Sequence, residues 1–282
     1  MSFDKINSWA KINLSLNVVK RFRSKYHKIE SLITFVEIFD EIKIRFLKGK
    51  KNKIYFTGKF AKGIGKNNTI SKLLNLLEKK KIIKNRKFEI VIKKNIPQKS
   101  GMGGGSMNAS SILKYFIKKK IINISSKKIQ ELAYKVGSDV VLGLEKKNSI
   151  LFKNGKVGRV DNKINFHVLI VKPNIDCSTK SIYAGVKKYS KSRYISKNKL
   201  FFKTSNLIQS NNDLENVVFN KYPKIKKLKY FLSNLPYITF TRMTGSGSAI
   251  VAYFKSKKAA NNASRIFRRK YKNYWYIISK TI

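Results

Sequence analysis

The stretch PQKSGMGGGSMNAS, residues 97–110, decides how this chain is interpreted. Four of the five positions from 101 to 105 are glycine, a residue that adopts positive φ freely and lets a ligand approach the main chain closely. The apolar spacing downstream predicts a helix that begins near Met107, with Ser106 as its N-cap. Residues 88–92, FEIVI, predict a strand just upstream.

A glycine turn between a strand and a helix favours a polyphosphate site. The first N–H groups of a helix are free, and the helix dipole is positive at that end. The stretch lacks the Gly-Lys-Ser/Thr ending of a Walker A loop, and Ser106 stands where the Rossmann fingerprint has its third glycine. A flexible surface turn is the alternative for a glycine cluster alone.

A second informative segment is AKINLSLNV, residues 10–18, in which apolar and polar residues alternate. The alternation predicts a half-buried strand, with Lys11 and Asn13 together on its polar face. A lysine beside an asparagine suits an anionic ligand that also accepts hydrogen bonds. Because the chain contains 63 Lys and Arg residues, an ordinary surface lysine is the alternative.

The third segment is KVGSDVVLG, residues 135–143, which sets an acid in an apolar stretch. The whole chain has only 14 Asp and Glu residues, and a buried acid needs a partner. One interpretation is that Ser138 or Asp139 caps a helix. The functional interpretation pairs Asp139 with Lys11 as a base and a cation beside the phosphates.

These segments together resemble the GHMP kinase superfamily, from Lys11 to about Phe254. The resemblance rests on motifs that follow one another in the family's order: the lysine strand, YHKIESL at 26–32, the glycine loop, the Gly-Ser-Asp turn, PNIDCST at 173–179, NDLE at 212–215 and TGSGSA at 244–249. Three positions depart from the family pattern. Ser24-Lys25 stands for Asp-Gly, Met107 for serine and Val141 for proline.

The resemblance implies an α+β fold with two domains and an active site in the cleft between them. Residues 1–160 would form the N-terminal GHMP domain, a β-α-β layer, and residues 161–282 a ferredoxin-like C-terminal domain. Local patterns predict the elements within them. We expect a hairpin through 35–46, a helix at 70–78, a turn at 153–156, strands at 166–172, 249–254 and 275–279, helices from 213 and at 259–269, and an irregular, mobile segment at 187–210.

The resemblance also implies ATP-dependent phosphorylation of an alcohol. Asp139 would accept the hydroxyl proton, and Lys11 would keep that carboxylate ionised and stabilise the developing charge. Mg²⁺ would bridge the phosphates without a dedicated protein cage, with Ser106 as its contact. The ATP-binding residues implied are Pro97, Gly101, Met102, Gly103, Gly104, Gly105, Ser106 and Asn108.

The acceptor implied is a cytidine diphosphate-linked methylerythritol, phosphorylated on its 2-hydroxyl for isoprenoid synthesis. Tyr26, His27 and Tyr183 would recognise the cytosine base by stacking and one hydrogen bond. The remaining contacts implied are Asn13, Thr179, Gly245 and Ser246. The other histidine, His167, lies in an apolar strand pattern and is interpreted as structural.

Composition sets the outer limits. A chain of 282 residues can bury a full core, and its one cysteine, Cys177, excludes an internal disulfide and suits a reducing cytoplasm. We find no apolar leader at the N-terminus and no run of about 18 apolar residues. The expected protein is therefore cytoplasmic, a monomer or homodimer, with no membrane contact.

Two other functions remain open at this point. The net charge of +49 would suit a nucleic-acid-binding protein, although the charge is spread along the whole chain, which predicts only nonspecific binding. Another GHMP small-molecule kinase, acting on homoserine or mevalonate, is the second alternative. The Tyr26-His27 pair argues against it, because those acceptors carry no base.

Overall fold

The computed structural model describes residues 2–21, 27–83 and 86–282. The chain divides into two compact units, each assembled from several stretches of sequence. Unit 1 comprises Met1–Ala10, Ile38–Gln98 and Gly103–Lys146, and unit 2 comprises Lys11–Glu37, Lys99–Met102 and Lys147–Ile282. A single domain boundary near residue 160 stays a prediction.

Two long strands, β1 (Asp4–Arg21) and β2 (His27–Leu47), contribute to both units. Residues 10–18 of β1 are buried on both faces, apolar on one and polar on the other, so the prediction of a half-buried strand is wrong. The hairpin predicted for 35–46 is also wrong, because β2 runs unbroken through it. This stretch contains no Gly or Pro to turn the chain.

Unit 1 joins the C-terminal part of β2 to a small sheet and a layer of helices. β2 pairs antiparallel with β4 (Lys87–Lys93), and β4 pairs in parallel with β3 (Lys53–Thr57). The Asn68 side chain caps the first helix by accepting hydrogen bonds from two backbone N–H groups, donors that a helix start leaves free. The helices are α1 (Thr69–Lys79), α2 (Gly104–Lys118) and α3 (Ser126–Val136), followed by a 3₁₀ helix at Val141–Leu144.

Unit 2 is built on a second sheet, whose strands are β7 (His167–Lys172), β8 (Phe240–Met243), β9 (Ile250–Phe254) and β10 (Trp275–Lys280). The order β10-β7-β9-β8 is antiparallel throughout. With helices after β7 and after β9, the arrangement is β-α-β-β-α-β, so the predicted ferredoxin-like fold is confirmed. The other elements are β5 (Asn148–Leu151), β6 (Val157–Val160), α4 (Thr179–Ala184), α5 (Thr204–Gln209), α6 (Leu214–Lys221), α7 (Pro223–Ser233) and α8 (Lys257–Lys270).

Most other predicted elements match this order, and the segment 187–210 differs. The predicted turn at 153–156 connects β5 to β6, where Gly155 takes a φ of +84°. The segment 187–210, predicted to be irregular, contains a 3₁₀ helix at Lys199–Phe202 as well as α5. Asn198 caps the start of that 3₁₀ helix by accepting a hydrogen bond from Leu200 N–H. The polar composition of the segment gave no indication of this cap.

Candidate active site

The helix of the glycine loop begins at the loop itself. Gly103 takes a φ of +69° and is the N-cap of α2, and its carbonyl accepts a hydrogen bond from Met107 N at 2.9 Å. Ser106 therefore lies in the first turn, and its predicted role as N-cap is wrong, because a left-handed glycine turns the chain directly into the helix. Residues 104–106 thus supply the free N–H groups of the helix start, where phosphate is stabilised.

Two side chains that the sequence analysis missed lie against this helix start. Thr69 Oγ1 donates a hydrogen bond of 2.8 Å to the Gly105 carbonyl. A Cβ built on Gly104 would lie 3.2 Å from Lys94 Nζ, and buried Lys94 forms an ion pair with buried Asp40. Because Lys94 is one of 63 Lys and Arg residues, nothing in the sequence singles it out.

Two of the predicted ATP contacts are buried residues beside the loop. Pro97 lies in the buried approach to the loop, and Asn108 on α2 has only 1% of its surface exposed. Both are in unit 1. Their contacts with the nucleotide stay predictions.

The turn that carries Asp139 comes after α3 in the same unit. Val140 N donates to the Gly137 carbonyl at 3.0 Å, and Leu142 N donates to the Asp139 carbonyl at 3.2 Å. The N-cap of the following 3₁₀ helix is Val140, so neither Ser138 nor Asp139 is a helix cap. Asp139 is half-buried. A Cβ built on Gly137 would lie 3.9 Å from Ser106 Oγ, which places this turn beside the first turn of α2.

The lysine strand in unit 2 carries a buried polar pair. Lys11 and Asn13 are 3% and 4% exposed, so an ordinary surface lysine is excluded. Lys11 Nζ donates to Asn13 Oδ1 at 2.7 Å, and Asn13 Nδ2 donates to Ser31 Oγ at 2.8 Å. The Asn13 side chain is thereby held with its oxygen toward the ammonium group.

The first half of the glycine loop, residues 99–102, packs against the Thr244 turn in unit 2. Gly101 takes a φ of +77°, and a Cβ there would lie 1.9 Å from the Thr244 carbonyl oxygen. Thr244 Oγ1 donates to the Gly101 carbonyl at 3.1 Å, and Lys11 N donates to the Met102 carbonyl at 3.2 Å. Only glycine fits position 101.

The residues predicted to bind the acceptor come together in part. The His27 and Tyr183 rings have centroids 5.3 Å apart, tilted by 37°. Thr179 Oγ1 and Ser246 Oγ lie 2.9 Å apart, and Thr179 is one helical turn before Tyr183 on α4. Tyr26 lies outside the described residues.

Asn212 explains the NDLE motif as a support of the turn at 244–249. Its Nδ2 atom donates to the carbonyls of Met243 and Gly245, both at 2.8 Å. Asn212 is 2% exposed, so both donors of this buried amide are used. The motif therefore fixes the backbone of Gly245.

The remaining groups set limits on the chemistry. Burial raises the pKa of the Cys177 thiol to about 11, so this thiol stays neutral at physiological pH. Among residues 2–21, 27–83 and 86–282, no group of three or more His, Cys, Asp and Glu is arranged to hold a metal ion. Within the same part of the chain, no helix is long and apolar enough to cross a membrane.

Unit 1 also has a cavity of about 470 Å³ between β3 and α1. Its lining includes apolar Phe56 and Ile64 and the polar side chains of Lys66 and Asn68. Asn68 is the N-cap of α1, directly before Thr69, which bonds to the glycine loop. No single segment of the sequence predicts this cavity, because its walls come from separate elements.

Comparison with known proteins gives one consistent family. Residues 68–146 match the family model described as GHMP kinases N terminal domain, and residues 195–273 match GHMP kinases C terminal. The 4-diphosphocytidyl-2-C-methyl-D-erythritol kinase of Pelagibacter ubique is 50% identical over 282 residues, covering 100% of both chains. That of Anaplasma phagocytophilum is 31% identical, covering 98% of this chain and 94% of its own.

Solved structures show the same fold. A crystal structure of 4-(cytidine 5'-diphospho)-2C-methyl-D-erythritol kinase matches with a TM-score of 0.80 and 19% identity, covering 99% of this chain and 100% of its own. The homoserine kinase of Cytophaga hutchinsonii matches with a TM-score of 0.71 and 16% identity, covering 100% of this chain and 95% of its own. Because the chain is 50% identical to the Pelagibacter protein over its full length, it belongs to the 4-diphosphocytidyl-2-C-methyl-D-erythritol kinases, within the GHMP kinases.

Proposed function

We propose that this protein transfers the γ-phosphate of ATP to the 2-hydroxyl of 4-diphosphocytidyl-2-C-methyl-D-erythritol, giving the 2-phosphate and ADP. The observation that carries this proposal is the His27–Tyr183 ring pair, with centroids 5.3 Å apart. The contact sets a ring that can stack on a base beside an imidazole that can donate a hydrogen bond. Mevalonate and homoserine have no base, so the pair favours a cytidine-linked acceptor.

The N-terminal end of α2 would bind the triphosphate. The backbone N–H groups of residues 104–106 and the positive end of the helix dipole favour the β- and γ-phosphates. Lys94 adds a positive charge near Gly104, although its pairing with Asp40 reduces the net field. We propose that the adenine base lies in the cavity between β3 and α1, whose charged and polar lining also includes apolar Phe56 and Ile64 and the amide of Asn68.

Asp139 would act as the general base. The acceptor hydroxyl oxygen attacks the γ-phosphorus, its proton passes to the Asp139 carboxylate, and the bond between that phosphorus and the bridging oxygen of ADP breaks. Lys11 would stabilise the charge that develops on the transferred group, and its bond to Asn13 holds it in place. A positioned base contributes about 10²–10⁴ in rate.

Mg²⁺ would neutralise charge on the phosphates when it is bound with the nucleotide. The ion would be held mainly by phosphate oxygens and water, as is usual for Mg²⁺. We propose Ser106, half-buried in the first turn of α2, as the side chain that contacts it.

The acceptor would be held by unit 2. We propose that Tyr183 stacks on the cytosine base and that His27 donates a hydrogen bond to its edge. The paired hydroxyls of Thr179 and Ser246 would contact the diphosphate, as would Asn13 and the Gly245 backbone. Tyr26 is proposed as a further stacking residue on sequence grounds.

The proposal is tested by ADP release from purified protein with ATP and Mg²⁺. The acceptors compared are 4-diphosphocytidyl-2-C-methyl-D-erythritol, mevalonate and homoserine. We expect turnover of the cytidine compound only. Asp139→Asn should lower kcat by about 10²–10⁴ while ATP still binds in calorimetry. Wild-type activity in that variant would contradict the assignment of the base.

The alternatives gain no support from the comparisons. The two relatives described above are named for the cytidine compound, and the likeness to homoserine kinase is one of fold. The net charge of +49 would give only salt-sensitive, nonspecific binding to nucleic acid. A cytoplasmic location, and a monomer or homodimer, stay proposals.

A further inference from the structure

A buried acid near the proposed acceptor residues has no assigned role. Glu30 lies on β2, three residues after His27, and it is 0% exposed. Its Oε1 atom accepts hydrogen bonds from Asn17 Nδ2 at 3.1 Å and from Arg193 N at 2.5 Å. A buried carboxylate is costly unless hydrogen bonds satisfy it, so these contacts are needed.

The second oxygen of Glu30 binds the same distant segment. Its Oε2 atom accepts a hydrogen bond of 3.0 Å from Ser192 Oγ and a longer one of 3.4 Å from Tyr194 N. Residues 190–194 form neither helix nor strand, so their backbone N–H groups need other partners. Glu30 accepts hydrogen bonds from two of them, those of Arg193 and Tyr194, and the Val18 carbonyl accepts from Ser190 N at 2.9 Å.

A second acid holds the beginning of this segment. Asp213 Oδ2 accepts hydrogen bonds from Ser190 Oγ at 2.8 Å and from Val18 N at 2.7 Å. Two of the 14 acids in a chain with a net charge of +49 therefore bind four of the five residues 190–194. We name residues 190–194 the clamped segment.

The clamped segment connects to the lysine strand through Tyr194. The Tyr194 hydroxyl lies 2.7 Å from Ser15 Oγ, and Ser15 Oγ accepts a hydrogen bond of 3.1 Å from Leu32 N. Ser31 Oγ donates to the Ser15 carbonyl and accepts from Asn13 Nδ2. The row of hydrogen bonds thus runs from Tyr194 to Asn13, which holds Lys11.

We propose that Glu30 is a positioning residue, which fixes Asn13 and Lys11 for the acceptor by clamping residues 190–194. The inference rests on the proposed function, because it assigns Asn13 to acceptor binding. Phosphoryl transfer depends on alignment, and a small misplacement costs up to about 10²-fold. Without Glu30, residues 192–194 lose these hydrogen bonds, Tyr194 no longer supports Ser15, and the hydrogen bonds from Ser15 to Asn13 lose their alignment.

The test is steady-state kinetics of Glu30→Ala and Glu30→Gln with both substrates varied. We expect Glu30→Ala to raise the acceptor KM by about tenfold or more and to leave the ATP KM within about twofold. Glu30→Gln should have an acceptor KM close to that of the wild type. Its oxygen still accepts from Asn17 and Arg193, and its amide can donate to Ser192 Oγ, a hydroxyl that also accepts. Only the long contact of 3.4 Å from Tyr194 N is lost.

A matched control separates positioning from general loss of stability. Leu232→Ala removes a fully buried side chain of α7 in the same unit. It should lower Tm while both KM values stay unchanged. If Glu30→Ala does not fold, Tyr194→Phe carries the test, since it removes only the hydroxyl that contacts Ser15. We expect a rise of about threefold in acceptor KM for Tyr194→Phe.

Each outcome is decisive. An unchanged acceptor KM in Glu30→Ala, an equal rise in both KM values, or failure of Glu30→Gln to restore activity would overturn the positioning role while the proposed function stands. In the fallback, an unchanged acceptor KM in Tyr194→Phe would do the same. A folded wild-type protein that does not turn over the cytidine acceptor would overturn both proposals together.

Discussion

The start of α2 in unit 1 and the row of hydrogen bonds from Tyr194 to Asn13 in unit 2, here called the polar row, are built in opposite ways. The helix start uses backbone groups of consecutive residues, where glycine leaves the main chain open. The polar row uses buried side chains from distant parts of the chain, such as Ser15 and Tyr194, 179 residues apart. A site built from backbone groups should therefore lose its function when one Cβ is added. A site built from side chains that bind one another should lose its function when one hydrogen bond is removed.

The largest expected effect comes from adding a Cβ at Gly101, in the part of the glycine loop that belongs to unit 2. In Gly101→Ala the methyl group would overlap the Thr244 carbonyl, 1.9 Å away, at a φ of +77°. We expect a loss of about 3 kcal/mol or more in the free energy of unfolding, and loss of kinase activity. Urea unfolding and ADP release measure these effects.

Gly155→Ala is the matched control for this change. Its φ is +84°, but a Cβ there meets open space among the described residues. Its free energy of unfolding should fall only by the cost of a left-handed alanine, about 1–2 kcal/mol, and its activity should be unchanged. Equal losses in the two variants would show that φ, and not the contact with Thr244, limits position 101.

A smaller effect is expected at the ring pair. Tyr183→Ala removes the proposed stacking on cytosine, a contact worth about 1–3 kcal/mol, so the acceptor KM should rise about five- to 150-fold. Tyr183→Phe keeps the ring and should stay near wild type. An acceptor KM that is unchanged in Tyr183→Ala would remove this residue from the site.

Removing one hydrogen bond at the helix start should have a milder effect. Thr69→Val keeps the shape of the side chain but loses the bond to the Gly105 carbonyl, worth about 1 kcal/mol. The ATP KM should rise about fivefold, with the acceptor KM unchanged. Thr57→Val, at an exposed position on β3, is the control. An unchanged ATP KM in Thr69→Val would show that this bond does not shape the loop.

The smallest effect is expected at Cys177, which tests for thiol chemistry in unit 2. Burial raises its pKa to about 11, so the folded protein should react slowly with iodoacetamide at pH 8 and rapidly once unfolded. The folded-state pKa exceeds the unfolded value, so the neutral thiol's contribution to stability is lost as the pH rises toward 11. Rapid alkylation of the folded protein would contradict this.

The sequence predicts the local features of the site and misses the long-range ones. The glycine loop and the Lys11–Asn13 pair could be predicted, because each is encoded by spacing within a short segment. The ferredoxin-like fold could be predicted from the family resemblance, with which the order of strands and helices along residues 161–282 agrees. The start of α2 could not be placed, because the left-handed Gly103 replaces Ser106 as the N-cap.

The missed residues are those whose partners lie far along the chain. Glu30 holds Tyr194 from 164 residues away, and Thr69 contacts Gly105 from 36 residues away. Propensity and periodicity describe one segment at a time, so they contain no information on such pairs. Burial on both faces of β1 is missed for the same reason, since the covering residues come from other elements.

The most direct test of this account is a kinetic comparison of Ser106→Ala and His27→Ala, with ATP and the cytidine acceptor varied in turn. The start of α2 is proposed to bind the nucleotide, and the His27–Tyr183 ring pair is proposed to bind the cytosine base. Ser106→Ala should therefore raise only the ATP KM, and His27→Ala only the acceptor KM. If His27→Ala raises the ATP KM instead, or if both variants raise both values alike, the division between nucleotide and acceptor residues is contradicted.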